Sequence, residues 1–188
     1  MRFFKERVEI EALMRSVAKA TMQRDPRTIL GEVLSGEVLS DSEKQELVVE
    51  VRIFEVAIHH FLLAELCANQ LDQEKVSYLY GKSVAIAYAS ANNGNEEVAL
   101  AETLQLLEKA NSYLSSAIER KDARPIQNAP LTFYCCQEFV SRVQGGRDII
   151  DLSPSITSRD EIFNVAKQSV RHAESFYSAI QKEYKITF

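Results

Sequence analysis

The chain contains little of what interrupts regular structure: it has six glycines, four prolines and no tryptophan among 188 residues. Glycine and proline break helices and favour turns, so their scarcity predicts few tight turns and long regular elements. Apolar runs are also short of the roughly eighteen residues that a membrane-spanning helix needs, so we expect no membrane span. The first residues carry charges where a signal peptide would have an apolar core, and we therefore expect no signal peptide.

Cysteine and positive charge are scarce as well. The three cysteines, Cys67, Cys135 and Cys136, are odd in number and form no C-x-x-C pair. This usage is typical of reduced, buried thiols and predicts a cytoplasmic protein. The formal net charge of −5 provides no basic field for phosphate backbones, so we do not expect general nucleic-acid binding.

The length and composition predict one globular domain covering residues 1–188. Hydrophobic residues make up 46% and charged residues 26% of the chain, which is ordinary for a globular protein with a single core. We find no internal repeat with a convincing period.

The strongest local signal is the segment from Ser40 to Asn69, which contains neither glycine nor proline. Ser40 and Glu43 have the spacing of a capping box, which predicts that a helix begins here. Apolar side chains then surround nearly the whole helical circumference, as in a helix buried on all sides. The sequence therefore predicts an all-α, antiparallel helical bundle of about five long and two short helices around this central helix.

Three further helices carry predictions that the structure can test. The first is expected over residues 3–23 and the last is expected to extend to about Lys185. Another, ending near Lys121, has apolar residues at alternating spacings of four and three with Asn111 in the same register. Such a pattern is typical of a coiled-coil seam with one polar interruption. The apolar residues of this seam are Leu100, Leu104, Leu107, Leu114 and Ile118.

A polar stripe interrupts the apolar central helix. Arg52, Glu55 and His59 lie three and four residues apart, so they share one helix face. These residue types could form an acid–base site in which Glu55 orients His59 and Arg52 stabilises an anion. The alternative is an ionic cluster that fixes the register of the central helix.

The spacing of Arg52 and His59 resembles the Arg-x(4–6)-His motif of HEPN-type ribonucleases, which are small helical bundles. The resemblance implies that the arginine holds a phosphate and the histidine acts on the ribose 2′-hydroxyl. The chain departs from that family at Ile53, where a polar residue often follows the arginine.

Metal and cofactor chemistry are not indicated. Carboxylate-bridged metal centres in bundles use Glu-x-x-His, whereas Val56, Ala57 and Ser169 stand three residues before the three histidines. We therefore predict no metal site and no cofactor. A small ligand held between helices is a further hypothesis, with no ligand identified by the sequence.

The last helix suggests a contact with another chain. Its apolar residues include Phe163, Val170, Tyr177 and Ile180 in an unbroken three-and-four pattern, flanked by enough further apolar residues to serve more than one neighbour. Because no reaction class assembles its residues, the leading hypothesis is a non-enzymatic protein–protein interaction or regulatory module that self-associates, as a homodimer, through this helix. The alternative is a ribonuclease using Arg52 and His59. If all four residues are fully buried within one monomer, the argument for association through this helix loses its support.

Overall fold

The computed structural model describes residues 6–35, 40–69, 71–91, 96–143 and 159–187. Within these ranges the chain forms seven helices and one two-stranded parallel sheet. The elements in chain order are β1 (Glu6–Glu9), α1 (Ile10–Gln23), α2 (Arg27–Ser35), α3 (Asp41–Cys67), α4 (Gln73–Ala91), α5 (Glu96–Ala123), α6 (Leu131–Val143), α7 (Arg159–Glu183) and β2 (Tyr184–Thr187). The predicted all-α bundle is confirmed.

Helix α3 lies at the centre of the bundle, as predicted. It begins at the expected capping box, in which the Glu43 amide donates to Ser40 Oγ and the Ser40 amide donates to Glu43 Oε2. Each of the other six described helices contacts α3. Its buried apolar residues cover several sides of the helix, which explains why no single apolar face could be assigned to it.

The two ends of the described chain differ from the prediction. Residues 6–9 form β1 rather than the start of a helix, and α7 ends at Glu183 so that the next four residues form β2. The strands pair in parallel, with Val8 opposite Ile186. Both of these side chains pack against the bundle core, so the pairing buries apolar surface that a continued helix would place elsewhere.

The face that α5 packs on the core lies beside its predicted heptad seam. Leu104 and Ile118 are 59% and 47% exposed, and Asn111 is exposed as well, whereas Leu107 and Leu114 are half-buried. The predicted seam is therefore not the core face of α5. The residues that α5 buries lie one position away from the seam: Thr103, Leu106, Ala110, Tyr113 and Ala117.

Candidate functional site

The structure brings Arg52 and Glu55 together and adds Arg24, which the sequence did not indicate. Arg24 Nη1 lies 3.1 Å from Glu55 Oε1, and Arg52 Nη1 lies 3.9 Å from Glu55 Oε2. The Arg52 guanidinium also donates a hydrogen bond to the main-chain carbonyl of Arg24, the residue that ends α1. These contacts join the end of α1 to the middle of α3. We refer to Arg24, Arg52 and Glu55 as the Glu55 cluster.

Burial dominates the electrostatics of the Glu55 cluster. Glu55 is only 3% exposed, and its desolvation raises the pKa of the carboxyl even though both arginines act to lower it. Desolvation likewise lowers the pKa of Arg52. Glu55 Oε2 and Arg52 Nη1 are both buried without a hydrogen-bond partner. The cluster is therefore incompletely paired, and the charged form of Glu55 is disfavoured by its surroundings.

The side chain of His59 contacts Tyr177 of α7. Its Nδ1 lies 3.1 Å from the Tyr177 hydroxyl on α7, and the two rings meet edge to face with their centroids 5.8 Å apart. Burial, with smaller contributions from the charges of His172 and Arg24, lowers the pKa of His59 to about 4. The imidazole is consequently neutral at neutral pH, and its hydrogen bond links α3 to α7. The proposed role of Glu55 in orienting His59 has no counterpart in these contacts.

The four residues of the α7 seam face the core of the same chain. Val170 and Tyr177 are 6% and 5% exposed, and Phe163 and Ile180 are half-buried against the core. Phe163 also packs edge to face on Phe133 of α6, with the ring centroids 5.8 Å apart. Full burial is therefore met by Val170 and Tyr177 and not by Phe163 and Ile180, and self-association through α7 stays a prediction.

A second ionic group lies between α5 and α6. Arg120 Nη2 is 2.6 Å and Arg142 Nε 2.8 Å from the two carboxylate oxygens of Glu138. The Arg142 guanidinium also lies over the Tyr113 ring, 3.9 Å from its centroid, and Tyr113 donates a hydrogen bond to Glu50 of α3. We refer to Glu138, Arg120 and Arg142 as the Glu138 cluster. Only the Glu138–Arg142 pair, four residues apart on one helix, could have been inferred from the sequence.

The three thiols are unreactive in this environment. Cys67, Cys135 and Cys136 are free and buried, and burial raises their pKa values to about 11, 12 and 12 respectively. Thiolate formation is therefore disfavoured at neutral pH, and nucleophilic chemistry at these residues is not supported. The cytoplasmic location inferred from them remains a prediction.

Among the described residues, no group of three or more His, Cys, Asp or Glu side chains is arranged to hold a metal ion. None of the described helices combines the length and the hydropathy that crossing a membrane requires.

Compared with protein-family models, with curated proteins and with solved structures, the chain has no significant match. The function is therefore argued from the contacts, burial and charges of its own residues.

Proposed function

We propose that this protein is a non-enzymatic interaction module that self-associates through the exposed seam of α5. The observation that carries the proposal is the exposure of two large apolar side chains, Leu104 and Ile118, at 59% and 47%. They lie on one line of the helix with the exposed Asn111 between them, each seven residues from the next. We call this line together with the half-buried Leu107 and Leu114 the α5 stripe.

The α5 stripe has the residue pattern of a helix that pairs with another helix. Leu107 and Leu114 occupy one heptad position, and Leu104, Asn111 and Ile118 occupy the other. Leucine at the first position with a single asparagine at the second is typical of two-stranded parallel coiled coils. Leu107 and Leu114 pack partly against the core of the same chain, whereas the apolar surface that Leu104 and Ile118 expose to water favours burial against a partner.

A second copy of this chain is the partner that the pattern favours. A buried asparagine in a coiled-coil core is tolerated best opposite another asparagine, because each then satisfies the other's amide. Two α5 stripes related by a two-fold axis in parallel register would place the two Asn111 residues opposite each other. Isologous contacts of this type are the commonest arrangement in homo-oligomers.

The ribonuclease alternative has weaker support. It requires Arg52 and His59 to act on one substrate, whereas each is engaged within the fold, Arg52 with α1 and His59 with Tyr177. A buried histidine whose pKa is lowered to about 4 also remains neutral where a general acid would need its proton.

Native mass spectrometry and light scattering over a concentration series test the proposal. We expect the wild-type chain to form a dimer and the double variant Leu104→Lys/Ile118→Lys to be a monomer, because two charges replace the apolar contacts. The matched control is Ile86→Lys, which places a lysine at a 52% exposed position on α4, off the stripe. Circular dichroism checks that each variant keeps its helices.

Two results would contradict the proposal. If the wild-type chain stays monomeric at every concentration, the protein does not self-associate and the proposal is wrong. If the dimer dissociates equally in the Ile86→Lys control, or survives in the double variant, the α5 stripe is not the dimer interface.

A further inference from the structure

The α5 stripe lies on the side of α5 that faces α4. A β-carbon added to Gly81 of α4 would lie 3.3 Å from Leu107 Cδ1, so Leu107 of the stripe rests against the main chain of α4. Nearer the end of α4, the Tyr88 hydroxyl donates to Glu102 Oε2, 2.7 Å away. Because residue numbers fall along α4 as they rise along α5, the two helices are antiparallel neighbours.

The location of Tyr78 follows from this pairing. Tyr78 precedes Gly81 by three residues, so the two lie on the same side of α4, about one turn apart. In an antiparallel pair, that turn is level with the turn of α5 that follows Leu107 and carries Asn111. Tyr78 is 67% exposed, more than any other large hydrophobic residue in the part of the chain that the structure describes. A large side chain open to water therefore lies beside the middle of the α5 stripe.

The α5 stripe by itself is too small for a stable dimer. A specific interface buries about 800 Å² on each partner, whereas one buried aromatic side chain contributes roughly 150–250 Å². Leu104 and Ile118 are smaller than an aromatic residue and are already partly covered within their own chain. A dimer formed through the α5 stripe must therefore bury further surface next to it.

We propose that Tyr78 belongs to the dimer interface and packs against α5 of the second copy, an inference that rests on the proposed function. A helix that lies along the α5 stripe also contacts α4, because Leu107 of the stripe already rests on Gly81. With the two chains in parallel register, Tyr78 lies at the level of Asn111 of the partner subunit. The two-fold axis makes this contact twice, and the interface contains α4 and α5 of both chains.

A tyrosine is well suited to such a contact. Its ring offers a large apolar area with few torsions to order, and its hydroxyl finds hydrogen-bond partners at the polar rim of an interface. Tyrosine is also enriched among the residues whose truncation weakens binding most. Ile86 provides a comparison on the same helix, since it is 52% exposed but lies five residues after Gly81, on a different side of α4.

A tryptophan reporter tests the contact directly, because the chain has no tryptophan of its own. We expect the emission of Tyr78→Trp to shift to shorter wavelength as the protein concentration rises, since the indole leaves water when the dimer forms. The emission of Ile86→Trp should stay constant over the same series. Native mass spectrometry and light scattering on the same samples give the fraction of dimer.

Truncation measures how much the contact contributes. Tyr78→Ala should weaken the dimer about 30-fold, the effect of a residue at the centre of an interface. Tyr78→Phe keeps the ring and should dimerise nearly as well as the wild-type chain, and the control Ile86→Ala should match it. Because both positions are exposed within the single chain, we expect each variant to fold, and circular dichroism checks this.

The outcomes separate this inference from the proposed function. Suppose the wild-type dimer is dissociated by Leu104→Lys/Ile118→Lys, but Tyr78→Ala dimerises like the wild type or the emission of Tyr78→Trp stays constant. The α5 stripe is then the interface, and the Tyr78 contact is wrong. An equal shift in Ile86→Trp would also contradict the contact, and a wild-type chain that is monomeric at every concentration would overturn both proposals.

Discussion

The Glu55 and Glu138 clusters contain the same groups, one glutamate between two arginines, but the two carboxyls respond in opposite ways. Burial raises the pKa of Glu55 and its arginines do not compensate. Burial also pushes the pKa of Glu138 upward, but the hydrogen bonds and charges of Arg142 and Arg120 outweigh it, so the net shift is downward. The number of charges is equal, so the difference lies in burial, which is deeper for Glu55, and in the geometry of the contacts.

The contact distances add to the effect of burial. Both oxygens of Glu138 accept hydrogen bonds, at 2.6 and 2.8 Å, whereas Glu55 Oε1 accepts one at 3.1 Å and Oε2 has no hydrogen-bond partner. A buried carboxylate repays its desolvation only when its lone pairs are satisfied by close donors. The Glu138 cluster therefore stabilises the ionised state, and the Glu55 cluster holds two helices together at an electrostatic cost.

The largest effect is expected at His59, one turn after Glu55 on α3, and this prediction could break the comparison. His59→Ala removes a half-buried imidazole and leaves the Tyr177 hydroxyl unpaired, so we expect a loss of about 3 kcal/mol in the free energy of unfolding. Denaturant unfolding measures it, with the exposed His172→Ala on α7 as the control, for which little change is expected.

The same variants decide whether the Arg52–His59 pair has a catalytic role. We expect no cleavage of a mixed RNA substrate by the wild-type chain. Cleavage that disappears in a folded His59→Ala protein and persists in His172→Ala would instead establish the ribonuclease alternative, and the Glu55 cluster could no longer be treated as structural.

A smaller loss is expected for Glu138→Gln, about 2 kcal/mol at pH 7, because two charge-assisted hydrogen bonds become weaker neutral ones. The pH dependence follows from the direction of the shift. A carboxyl whose folded pKa is lowered contributes stability above its ordinary value of 4.5, and this contribution is lost as the pH falls through the folded pKa. The deficit of Glu138→Gln relative to wild type should therefore shrink between pH 7 and about pH 3.

Denaturant unfolding at both pH values checks this prediction. The exposed Glu108→Gln on α5 is the control and should follow wild type throughout. A Glu138→Gln deficit that is absent at pH 7, or that grows in acid, would show that the short contacts of this cluster do not stabilise the charged carboxylate.

The parts of the fold that the sequence predicted depend on local signals. Ser40 and Glu43 are three residues apart, so the capping box that starts α3 can be read directly. The contact between Arg24 and Glu55 spans 31 residues, and the strand pairing of Val8 with Ile186 joins the two ends of the described chain. In both contacts the partners are far apart in the sequence, and their neighbouring residues do not indicate the pairing, so these contacts could not be predicted.

Helix α5 shows another reason why contacts can escape prediction from the sequence. The heptad pattern counts large apolar side chains, but α5 buries Thr103, Ala110 and Ala117 along part of its core face. Small residues permit a close approach of helices and can line an interface without being conspicuous in the sequence. The leucine-rich line predicted as a coiled-coil seam is therefore distinct from the face that α5 packs on the core, and two of its large apolar residues are exposed.

The smallest effect is expected for Glu55→Gln, and its sign sharpens the comparison. A carboxyl whose folded pKa is raised contributes stability below its ordinary value of 4.5, and this contribution is lost as the pH rises through the folded pKa. Glutamine resembles the protonated form and still accepts from Arg24, so at pH 7 the variant should match wild type or exceed it by up to about 1 kcal/mol.

Any such advantage should disappear toward pH 4, opposite to the trend for Glu138→Gln, and urea unfolding at the two pH values measures it. A loss of about 3 kcal/mol at pH 7 would instead show that Arg52, left beside a neutral amide, depends on the full charge of Glu55. In that case the two clusters would stabilise the fold in the same way, and the hydrogen-bond distances would not be what distinguishes them.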